Sequence, residues 1–278
     1  KMHGIGNDYI YINCFQETVT DPEKLSIFMS NVRFGVGSDG LVLILPSEVA
    51  DFRMRIFNAD GSEAMMCGNA TRCVGKYVYE HGMTDKTEVS LETNSGIKYL
   101  TLYVNEATNK VDAVKVDMGK AILKPAEIPV ADDGDRFIAK PVVVDGVSYD
   151  MTCVSMGNPH AVVFLPEIDS LDLEKMGPSF EHHPLFPNRV NTEFIRVIDD
   201  HTLQMRVWER GSGETFACGT GACAAAVASV LNGYCKREQE ILIHLRGGDL
   251  RIIYHNDESV TMIGPATFIF EGKMEYPV

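Results

Sequence analysis

The sequence predicts an α+β fold of two pseudo-symmetric lobes, each formed by strands wrapped around one central helix. Stretches in which apolar and polar residues alternate, the pattern of half-buried strands, dominate the 278-residue chain. The same residues also recur at one offset, because Cys67-Gly68 and Cys218-Gly219 lie 151 positions apart (218 − 67). Further pairs share this register without a gap: Gly6-Asn7 with Gly157-Asn158, Glu63 with Glu214, and Gly82 with Gly233. Such a repeat indicates two homologous lobes related by a pseudo-twofold axis.

Strands are predicted wherever four to eight residues alternate in polarity between turn residues. In the first half these are residues 8–13, 40–45, 52–58, 98–104 and 113–118. In the second half they are residues 142–144, 149–154, 161–165, 192–197, 203–208, 241–245 and 250–254.

Three helices are predicted from their end signals. Asp21-Pro22 supplies an N-cap and a first-turn proline for a short helix ending near Asn31. Two longer helices, residues 69–81 and 220–232, each follow a Cys-Gly and stop at a glycine. Residues 222–228 are apolar on nearly all sides, and a helix without a polar face must be enclosed by the protein. We therefore place these two helices at the centres of the lobes.

The lobe boundary is predicted from composition. Residues 120–136 are rich in Pro, Asp and Ala and are typical of a crossover between lobes. Residues 266–270 form one more predicted strand. This strand has no counterpart in the second repeat, so we expect it to return to the first lobe.

Composition excludes several classes of function. The net charge is −14 with dispersed Lys and Arg, which does not fit nucleic-acid binding, and no apolar run has the length of a bilayer span. The chain begins at Lys1 rather than Met, so we expect a few residues to precede it. Seven cysteines without an export signal indicate free thiols in a reducing compartment, and we expect a cytoplasmic protein.

The two Cys-Gly turns carry the predicted chemistry. A helix N-terminus offers unpaired backbone N–H groups and a partial positive charge, which favour a thiolate and also bind a carboxylate. Cys67 and Cys218 near a pseudo-twofold axis would face each other, so one thiol could remove a proton from a carbon while the other returns one on the opposite face. Proton removal next to a carboxylate places negative charge on oxygens that such amides already hold. The amides in question belong to Gly68, Asn69, Gly219 and Thr220.

These residues allow other interpretations. A zinc site is the weaker one, because Cys218-x₄-Cys223 has no nearby histidine. Nucleotide binding is rejected, because the glycine-rich stretch lacks the Gly-Lys-Ser/Thr ending of a phosphate loop. A thiol redox protein with a Cys67–Cys218 disulfide and a ligand-binding protein without turnover remain alternatives. The other five cysteines are interpreted as small buried hydrophobic residues: Cys14, Cys73, Cys153, Cys223 and Cys235.

The chain resembles the diaminopimelate epimerase family in several motifs. The most specific runs from Asn58 to Arg72, Asn-Ala-Asp-Gly-Ser-Glu-Ala-Met-Met-Cys-Gly-Asn-Ala-Thr-Arg. Residues 2–9, 157–160, 209–215 and 217–221 are also similar to that family. The resemblance implies two lobes that are mostly antiparallel β-barrels around a central helix, residues 1–118 with 264–278 and residues 119–263. It also implies a homodimer and a cofactor-independent epimerase, without a metal, that interconverts LL- and meso-diaminopimelate for lysine and peptidoglycan synthesis. Proline racemases resemble the chain in fold and paired cysteines but lack these motifs.

The resemblance assigns roles residue by residue. Cys67 and Cys218 match the catalytic pair, in which one acts as thiolate base and the other as thiol acid according to the handedness of the substrate. His160 and Glu209 match residues that tune the two cysteines. The positions that match substrate contacts are Asn7, Asn58, Gly68, Asn69, Asn158, Asn191, Glu209, Arg210, Gly219 and Thr220. One position departs from the pattern, because Gly40 stands where some relatives carry Gln and where the repeat has Asn191.

The residues themselves add that the two halves differ where recognition must differ. Asn58 is matched by Glu209 in the repeat, and Tyr9 by His160. A substrate with a second, unreactive amino acid centre requires such asymmetry, and Arg210 next to Glu209 offers a bidentate contact for its carboxylate. A surface salt bridge is the alternative for Arg210, and a structural role in its loop is the alternative for His160.

Overall fold

The structure is a computed structural model that describes residues 1–276, and it confirms the α+β fold class. The chain divides into two compact units. The first unit comprises Lys1–Asp117 and the segment that begins at Ile263, and the second unit comprises Met118–Met262.

The first unit is built mainly from strands with two helices. Its strands are β1 (Met2–Gly4), β2 (Asn7–Asn13), β3 (Gly40–Leu45), β4 (Phe52–Asn58), β5 (Glu63–Ala64), β6 (Glu88–Thr93), β7 (Gly96–Asn105) and β8 (Lys110–Lys120, which continues past the division). Its helices are α1 (Pro22–Ser30) and α2 (Gly68–Glu80). The Asp21 side chain caps α1 by accepting a hydrogen bond from the Lys24 amide at 3.1 Å, as the Asp-Pro signal predicts.

The second unit repeats this plan. Its strands are β9 (Lys140–Val144), β10 (Val147–Ser155), β11 (Pro159–Phe164), β12 (Asn191–Val197), β13 (Thr202–Glu209), β14 (Gly213–Glu214), β15 (Glu240–Leu245), β16 (Gly248–Tyr254) and β17 (Ser259–Gly264, whose last two residues lie past the division). Its helices are α3 (Leu173–Glu181) and α4 (Gly219–Leu231), after a 3-10 turn at Pro125–Glu127. The predicted tail strand is the short β18 (Thr267–Phe268), which pairs antiparallel with β1.

Strand register confirms the internal repeat. In the first unit β2 pairs parallel with β3 through Ile10 and Leu41. In the second unit β11 pairs parallel with β12 through Ala161 and Thr192, the same positions at the 151-residue offset. The antiparallel pairs β3–β4 and β12–β13 correspond in the same way. Homologous residues therefore occupy homologous places on the two sheets.

The two Cys-Gly helices are buried as the sequence predicts. Residues 222–228 of α4 are completely buried, and this helix contacts β10, β11, β12 and β16. Helix α2 is buried along its first two turns and exposes part of its last turn. Both helices begin one residue earlier than predicted, at the glycine itself. Among residues 1–276 no helix is both long and apolar enough to cross a membrane.

Several elements were not predicted from the sequence. The strands β1, β5 and β14 were missed because two or three residues are too few to show alternation. The strands β6 and β17 were missed although their residues alternate in polarity. Helix α3 was missed because Pro178 lies within it, and a proline normally interrupts a helix. The Asp172 N-cap, which accepts from the Lys175 amide at 3.3 Å, is the signal that could have located α3.

Candidate functional site

Cys67 lies at the N-cap of α2, as predicted. Its backbone is extended (φ −140°, ψ 119°), so the chain leaves the turn after β5 and enters the helix at Gly68. The thiol is half-buried, and its Sγ lies 3.4 Å from Asn7 Oδ1. The thiol is therefore held at the positive end of a buried helix.

Asn7 organises the polar groups around Cys67. Its Oδ1 also accepts a hydrogen bond from Asn69 Nδ2 at 3.2 Å, while its Nδ2 donates to Asp39 Oδ2 at 2.8 Å. Burial raises the pKa of Asp39 above the usual aspartate value. The structure thus brings together three residues that the sequence singled out, Asn7, Cys67 and Asn69, and adds Asp39.

Asn58 and Gly40 lie next to each other on paired strands of the same unit. Asn58 uses its side-chain amide to donate to Ser62 Oγ at 3.0 Å. A Cβ on Gly40 would collide with the carbonyl oxygen of Phe57. A larger residue at position 40 therefore requires the β3–β4 pair to move apart, which explains the glycine.

Arg72 supports the Cys67 turn from within the core and was not predicted. Its side chain is completely buried, and it donates to Gly68 O at 3.2 Å and to Asn69 Oδ1 at 2.8 Å. A third bond goes to Pro265 O at 3.0 Å, which ties the C-terminal segment to the turn. Arg72 therefore fixes both residues whose amides follow Cys67.

Cys218 lies at the N-cap of α4 in the same extended conformation (φ −124°, ψ 106°). The expectation that the helix end lowers both thiol pKa values is wrong for Cys218. Its pKa is raised well above the usual value, first by burial and then by the charges of Glu209 and Glu193. Hydrogen bonds from Thr220 and the Gly221 amide oppose this effect but are weaker. Cys218 therefore keeps its proton.

Residues from β11 and α4 surround Cys218 with polar groups. Thr220 Oγ1 lies 3.6 Å from Cys218 Sγ and accepts a hydrogen bond from Asn158 Nδ2 at 3.2 Å. Asn158 Oδ1 in turn lies 3.0 Å from His160 Nε2. The contact between Asn158 and Thr220 repeats that between Asn7 and Asn69 at the 151-residue offset, so the two turns share one design.

Glu209 lies at the end of β13, and its charge raises the Cys218 pKa more than that of Glu193 does. Its carboxyl accepts a hydrogen bond from the Thr215 hydroxyl and is hydrogen-bonded to Cys218. Desolvation raises the Glu209 pKa above the usual glutamate value, and these hydrogen bonds only partly offset it. This position is occupied by the neutral Asn58 in the first unit, so the two turns differ in charge.

Asn191 links β11 to the turn that carries Arg210. Asn191 Nδ2 donates to Pro159 O at 2.9 Å, and Asn191 Oδ1 accepts from the Arg210 amide at 2.9 Å. The Arg210 guanidinium donates to Asn188 O at 3.0 Å. Asn191 is buried with both ends of its amide in use, so within this unit it positions β11 against the turn that carries Arg210.

Each turn can thus present a thiol, a row of helix N-terminal amides and polar side chains that orient them. In the first turn, Asp39 is linked to the thiol through Asn7. The second carries Glu209, His160 and a further buried carboxylate, Glu193, which sequence reasoning missed because nothing in its strand, Asn-Thr-Glu-Phe-Ile-Arg-Val, marks it as functional. Cys218 keeps its proton beside carboxylates, whereas Cys67 contacts the neutral amide of Asn7, so the two thiols differ in their surroundings.

Comparisons with known proteins agree with this geometry. The family model described as diaminopimelate epimerase matches residues 1–124 and 152–269. A diaminopimelate epimerase of Acetivibrio thermocellus is 58% identical over 276 residues, covering 99% of this chain and 97% of the relative. One from Agathobacter rectalis is 56% identical over 283 residues, covering 99% and 98%.

A solved structure of a probable proline racemase from Agrobacterium radiobacter K84 shares the fold. Its TM-score is 0.71 at 16% sequence identity, and the match covers 96% of this chain and 89% of the other. At this identity the likeness concerns the fold alone.

Proposed function

Because the chain belongs to the diaminopimelate epimerase family, we propose that it interconverts LL-2,6-diaminopimelate and meso-2,6-diaminopimelate without a cofactor. The observation that supports this most directly is the repeated placement of one thiol at the N-cap of a buried helix, Cys67 on α2 and Cys218 on α4. The product would serve lysine and peptidoglycan precursor synthesis.

In the proposed reaction the substrate α-carbon loses one proton to a thiolate and receives another from a thiol. A thiolate sulfur takes the α-proton, so the Cα–H bond breaks and an S–H bond forms. The carbanion then takes the proton of the second thiol on its opposite face, which leaves that sulfur as the thiolate. The overall charge is unchanged, and the next turnover can run in the reverse direction from the state that remains. This scheme requires both thiols to reach one α-carbon.

The backbone amides of the two turns would hold the substrate carboxylate next to that carbon. They belong to Gly68, Asn69, Gly219 and Thr220, which begin the two helices. Negative charge that develops on the carboxylate during proton removal is stabilised by donors already oriented toward it. Amides fixed in a helix need no reorganisation in the transition state, and this is how the turns would lower the barrier.

The resting protonation states follow from the surroundings of the thiols. Burial and the charges of Glu209 and Glu193 raise the Cys218 pKa, so Cys218 is the resting acid. Cys67 is then the resting base. The substrate isomer that presents its α-proton to Cys67 binds productively when Cys67 is the thiolate and Cys218 the thiol. The isomer with the opposite configuration at that carbon requires Cys218 to be the thiolate and Cys67 the thiol.

The asymmetric residues would recognise the distal amino acid centre, which does not react. Glu209 can accept from an ammonium group, and Arg210 can donate to a carboxylate. Asn58 and Asn158 would offer neutral amides, and Asn7 and Asn191 position the turns that bear these contacts.

The experiment is proton NMR of LL-diaminopimelate incubated with the protein in heavy water. We expect one α-proton signal to disappear as meso product forms. Cys67→Ser and Cys218→Ser should each lower the inversion rate at least about a hundredfold, since each removes a proton-transfer group. Cys14→Ser is the matched control, because Cys14 lies in the first unit outside both turns.

The same assay gives the pH dependence. One thiol must be ionised and the other protonated, so the rate should be bell-shaped and report the pair. Near-normal inversion by both serine variants, or a flat profile between about pH 6 and 10 where perturbed thiols titrate, would contradict the two-thiol mechanism.

We also propose that the protein is a cytoplasmic homodimer whose lobes comprise residues 1–118 with 264–278 and residues 119–263. None of the seven cysteines, all within residues 1–276, is part of a disulfide, which fits a reducing compartment. Light scattering on a gel-filtration column tests the dimer, and the monomer mass of 30.8 kDa would contradict it. Limited proteolysis near residues 118 and 264 tests the lobe boundaries.

A further inference from the structure

A buried carboxylate at the end of α3 holds the turn that carries Arg210. The Glu181 side chain is only 5% exposed. Its Oε1 accepts hydrogen bonds from the Gly211 backbone amide at 3.0 Å and from Arg189 Nη1 at 3.2 Å. Its Oε2 accepts from the Trp208 indole Nε1 at 2.8 Å. Donors from three places in the chain thus meet at one carboxylate and satisfy both of its oxygens.

The backbone amides of this turn have partners within the protein. The Arg210 amide donates to Asn191 Oδ1 at 2.9 Å, and the Ser212 amide donates to Glu209 O at 3.0 Å. The Gly211 amide between them is the one that the α3 carboxylate holds. Amides with partners of their own are not offered to a ligand, which leaves side chains such as the Arg210 guanidinium as the donors that the turn can present.

The sequence of the turn specifies its shape only weakly. Gly211 and Gly213 both have a positive φ, 79° and 81°, and glycine has the widest choice of backbone conformations. A bond from outside the turn is therefore needed to select one conformation. The contact from Glu181 to the Gly211 amide supplies it, directly after Arg210 in the chain.

The first unit has an uncharged contact at the same place in the repeat. At the 151-residue offset, Glu181 corresponds to Ser30 (181 − 151) and Arg189 to Ser38 (189 − 151). The Ser38 hydroxyl donates to the Ser30 hydroxyl at 3.2 Å. The contact is thus present in both units, but it is an ion pair only in the second.

The aromatic partner and its neighbour differ between the units as well. Trp208 corresponds to Phe57 (208 − 151), which has no N–H, and Gly177 corresponds to Ser26 (177 − 151). A Cβ on Gly177 would lie 2.2 Å from Trp208 Cδ2, so this glycine provides the space for the indole. The second unit therefore combines a carboxylate, its cation, an indole donor and room for that indole. Such a matched set indicates a requirement that the first turn does not have.

That requirement coincides with the arginine. Arg210 corresponds to Ala59 (210 − 151), and Gly211 corresponds to Asp60 (211 − 151). Asp60 Oδ1 accepts from the Ser62 amide at 2.9 Å and from the Ser62 hydroxyl at 2.6 Å. The turn without an arginine is thus held by its own residues, whereas the turn with one is held from α3.

We propose that Glu181 is a positioning residue for substrate recognition, which fixes the turn of residues 209–213 so that the Arg210 guanidinium meets the distal carboxylate of the substrate. The inference deepens the proposed function and rests on it for the identity of that carboxylate. The guanidinium carries more N–H groups than the one that donates to Asn188 O. A guanidinium whose backbone is fixed loses less freedom when it binds a carboxylate.

The first measurement is the steady-state kinetics of diaminopimelate inversion by Glu181→Gln. Glutamine has one oxygen instead of two, so its NH₂ group must face either the Trp208 indole N–H or the Gly211 amide. The turn is then no longer fixed. We expect KM to rise about tenfold and kcat to stay within about threefold, because a contact made equally in the ground state and the transition state acts on KM. An unchanged KM would overturn the proposal.

Glu80→Gln is the matched control in the first unit. The Glu80 side chain is 7% exposed, pairs with Lys76 and accepts from the Val111 backbone amide at 2.9 Å. This variant should keep KM and kcat within about twofold of the unmodified protein. An equal rise of KM in both variants would mean that the loss of any buried carboxylate weakens binding, which contradicts a specific role for Glu181.

Trp208→Phe tests whether the hydrogen bonds at Glu181 carry the effect. In the double variant Glu181→Gln/Trp208→Phe, the glutamine oxygen can accept from Gly211 and Arg189 while its NH₂ group faces a ring without an N–H. We expect KM of the double variant to lie within about threefold of that of Trp208→Phe alone. Simple destabilisation would add the two losses, so a tenfold rise of KM in both backgrounds would overturn the proposal.

Arg210→Met tests whether Glu181 acts through Arg210. In this background the guanidinium is absent, so fixing its turn no longer matters for binding. Glu181→Gln should then lower kcat/KM by less than about twofold, compared with about tenfold when Arg210 is present. A further tenfold loss in the Arg210→Met background would overturn the proposed route.

If the unmodified protein does not invert diaminopimelate, the proposed function fails, and the positioning is tested by hydrogen exchange of the Gly211 amide measured with nitrogen-15 NMR. Glu181→Gln should speed up this exchange at least about tenfold. Glu80→Gln should speed up exchange of the Val111 amide and leave Gly211 unchanged. Unchanged Gly211 exchange in Glu181→Gln overturns the role of Glu181. If neither Glu181→Gln nor its double variant with Trp208→Phe folds, Glu181 is required for folding rather than for recognition, and the proposal is overturned.

Discussion

Two homologous ion pairs, one in each unit, allow a stability prediction with a built-in control. Arg206 and Glu214 form a bidentate pair in the second unit, with bonds of 2.8 and 3.0 Å. Arg55 and Glu63 form the same pair in the first unit, at 2.8 and 2.9 Å. The side chains of the second-unit pair are only 13% and 8% exposed, against 32% and 29% for the first. We predict that Arg206→Met destabilises its unit far more than Arg55→Met does.

The magnitude follows from the contacts that each arginine makes. Arg206 Nη1 also donates to three carbonyl oxygens, those of Ile168, Asp169 and Leu171, which lead into α3. Its loss leaves these acceptors without that donor, while Arg246 still pairs with Glu214 at 3.0 Å. We therefore expect a cost of about 3 kcal/mol for Arg206→Met, since removing one partner of a buried pair costs about 3–5 kcal/mol. The exposed pair should contribute about 0.5 kcal/mol.

The assay is urea unfolding followed by tryptophan fluorescence and circular dichroism. Trp208 is the single tryptophan, and it is buried in the second unit, so its emission follows that unit. With a urea slope of about 2 kcal/mol per molar for a unit of this size, Arg206→Met should lower the midpoint by about 1.5 M. Arg55→Met should lower the dichroism midpoint by about 0.3 M. Equal shifts for the two variants would refute the argument that burial sets the value of the pair.

Two further predictions concern titratable groups near Cys218. The Glu209 pKa is raised in the folded protein, so the folded state retains a proton that the unfolded state releases, and stability falls as pH rises through the raised value. Glu209→Gln has no carboxyl group to titrate, so it does not lose this stability. The difference between the urea midpoints of the variant and the parent should therefore increase in favour of the variant between about pH 4.5 and pH 7.5. A difference that stays constant with pH would contradict the raised Glu209 pKa. In the native protein at pH 7.5, iodoacetamide should modify the half-exposed Cys67 and Cys14 before Cys218, because Cys218 is buried and its pKa is raised. Peptide mass spectrometry identifies the modified residues. Modification of Cys218 first would contradict its assignment as the resting acid. Three buried cysteines should not react until the protein unfolds: Cys73, whose pKa burial raises to about 11, Cys153 and Cys223.

Local patterns in the sequence were sufficient to predict the framework of the fold. The Cys-Gly starts and glycine ends of α2 and α4 were located to within one residue, because capping depends on neighbours along the chain. The 151-residue offset predicted two homologous lobes, and the matching strand registers agree with it, since homologous side chains must face the same side of each sheet. The turns that hold Cys67 and Cys218 followed from these two facts.

Only the tertiary structure decided how each turn is tuned. Glu193 meets His160 because β11 and β12 pair in parallel, although 33 positions separate them in the chain (193 − 160). Arg72 reaches Pro265, and Gly40 is confined by Phe57 O, through contacts that no local pattern encodes. The pKa of Cys218 rises because desolvation and two carboxylates from other strands outweigh the helix end next to it. A helix start is a property of adjacent residues, whereas a protonation state sums charges and burial over all surrounding elements, which only the folded chain brings together.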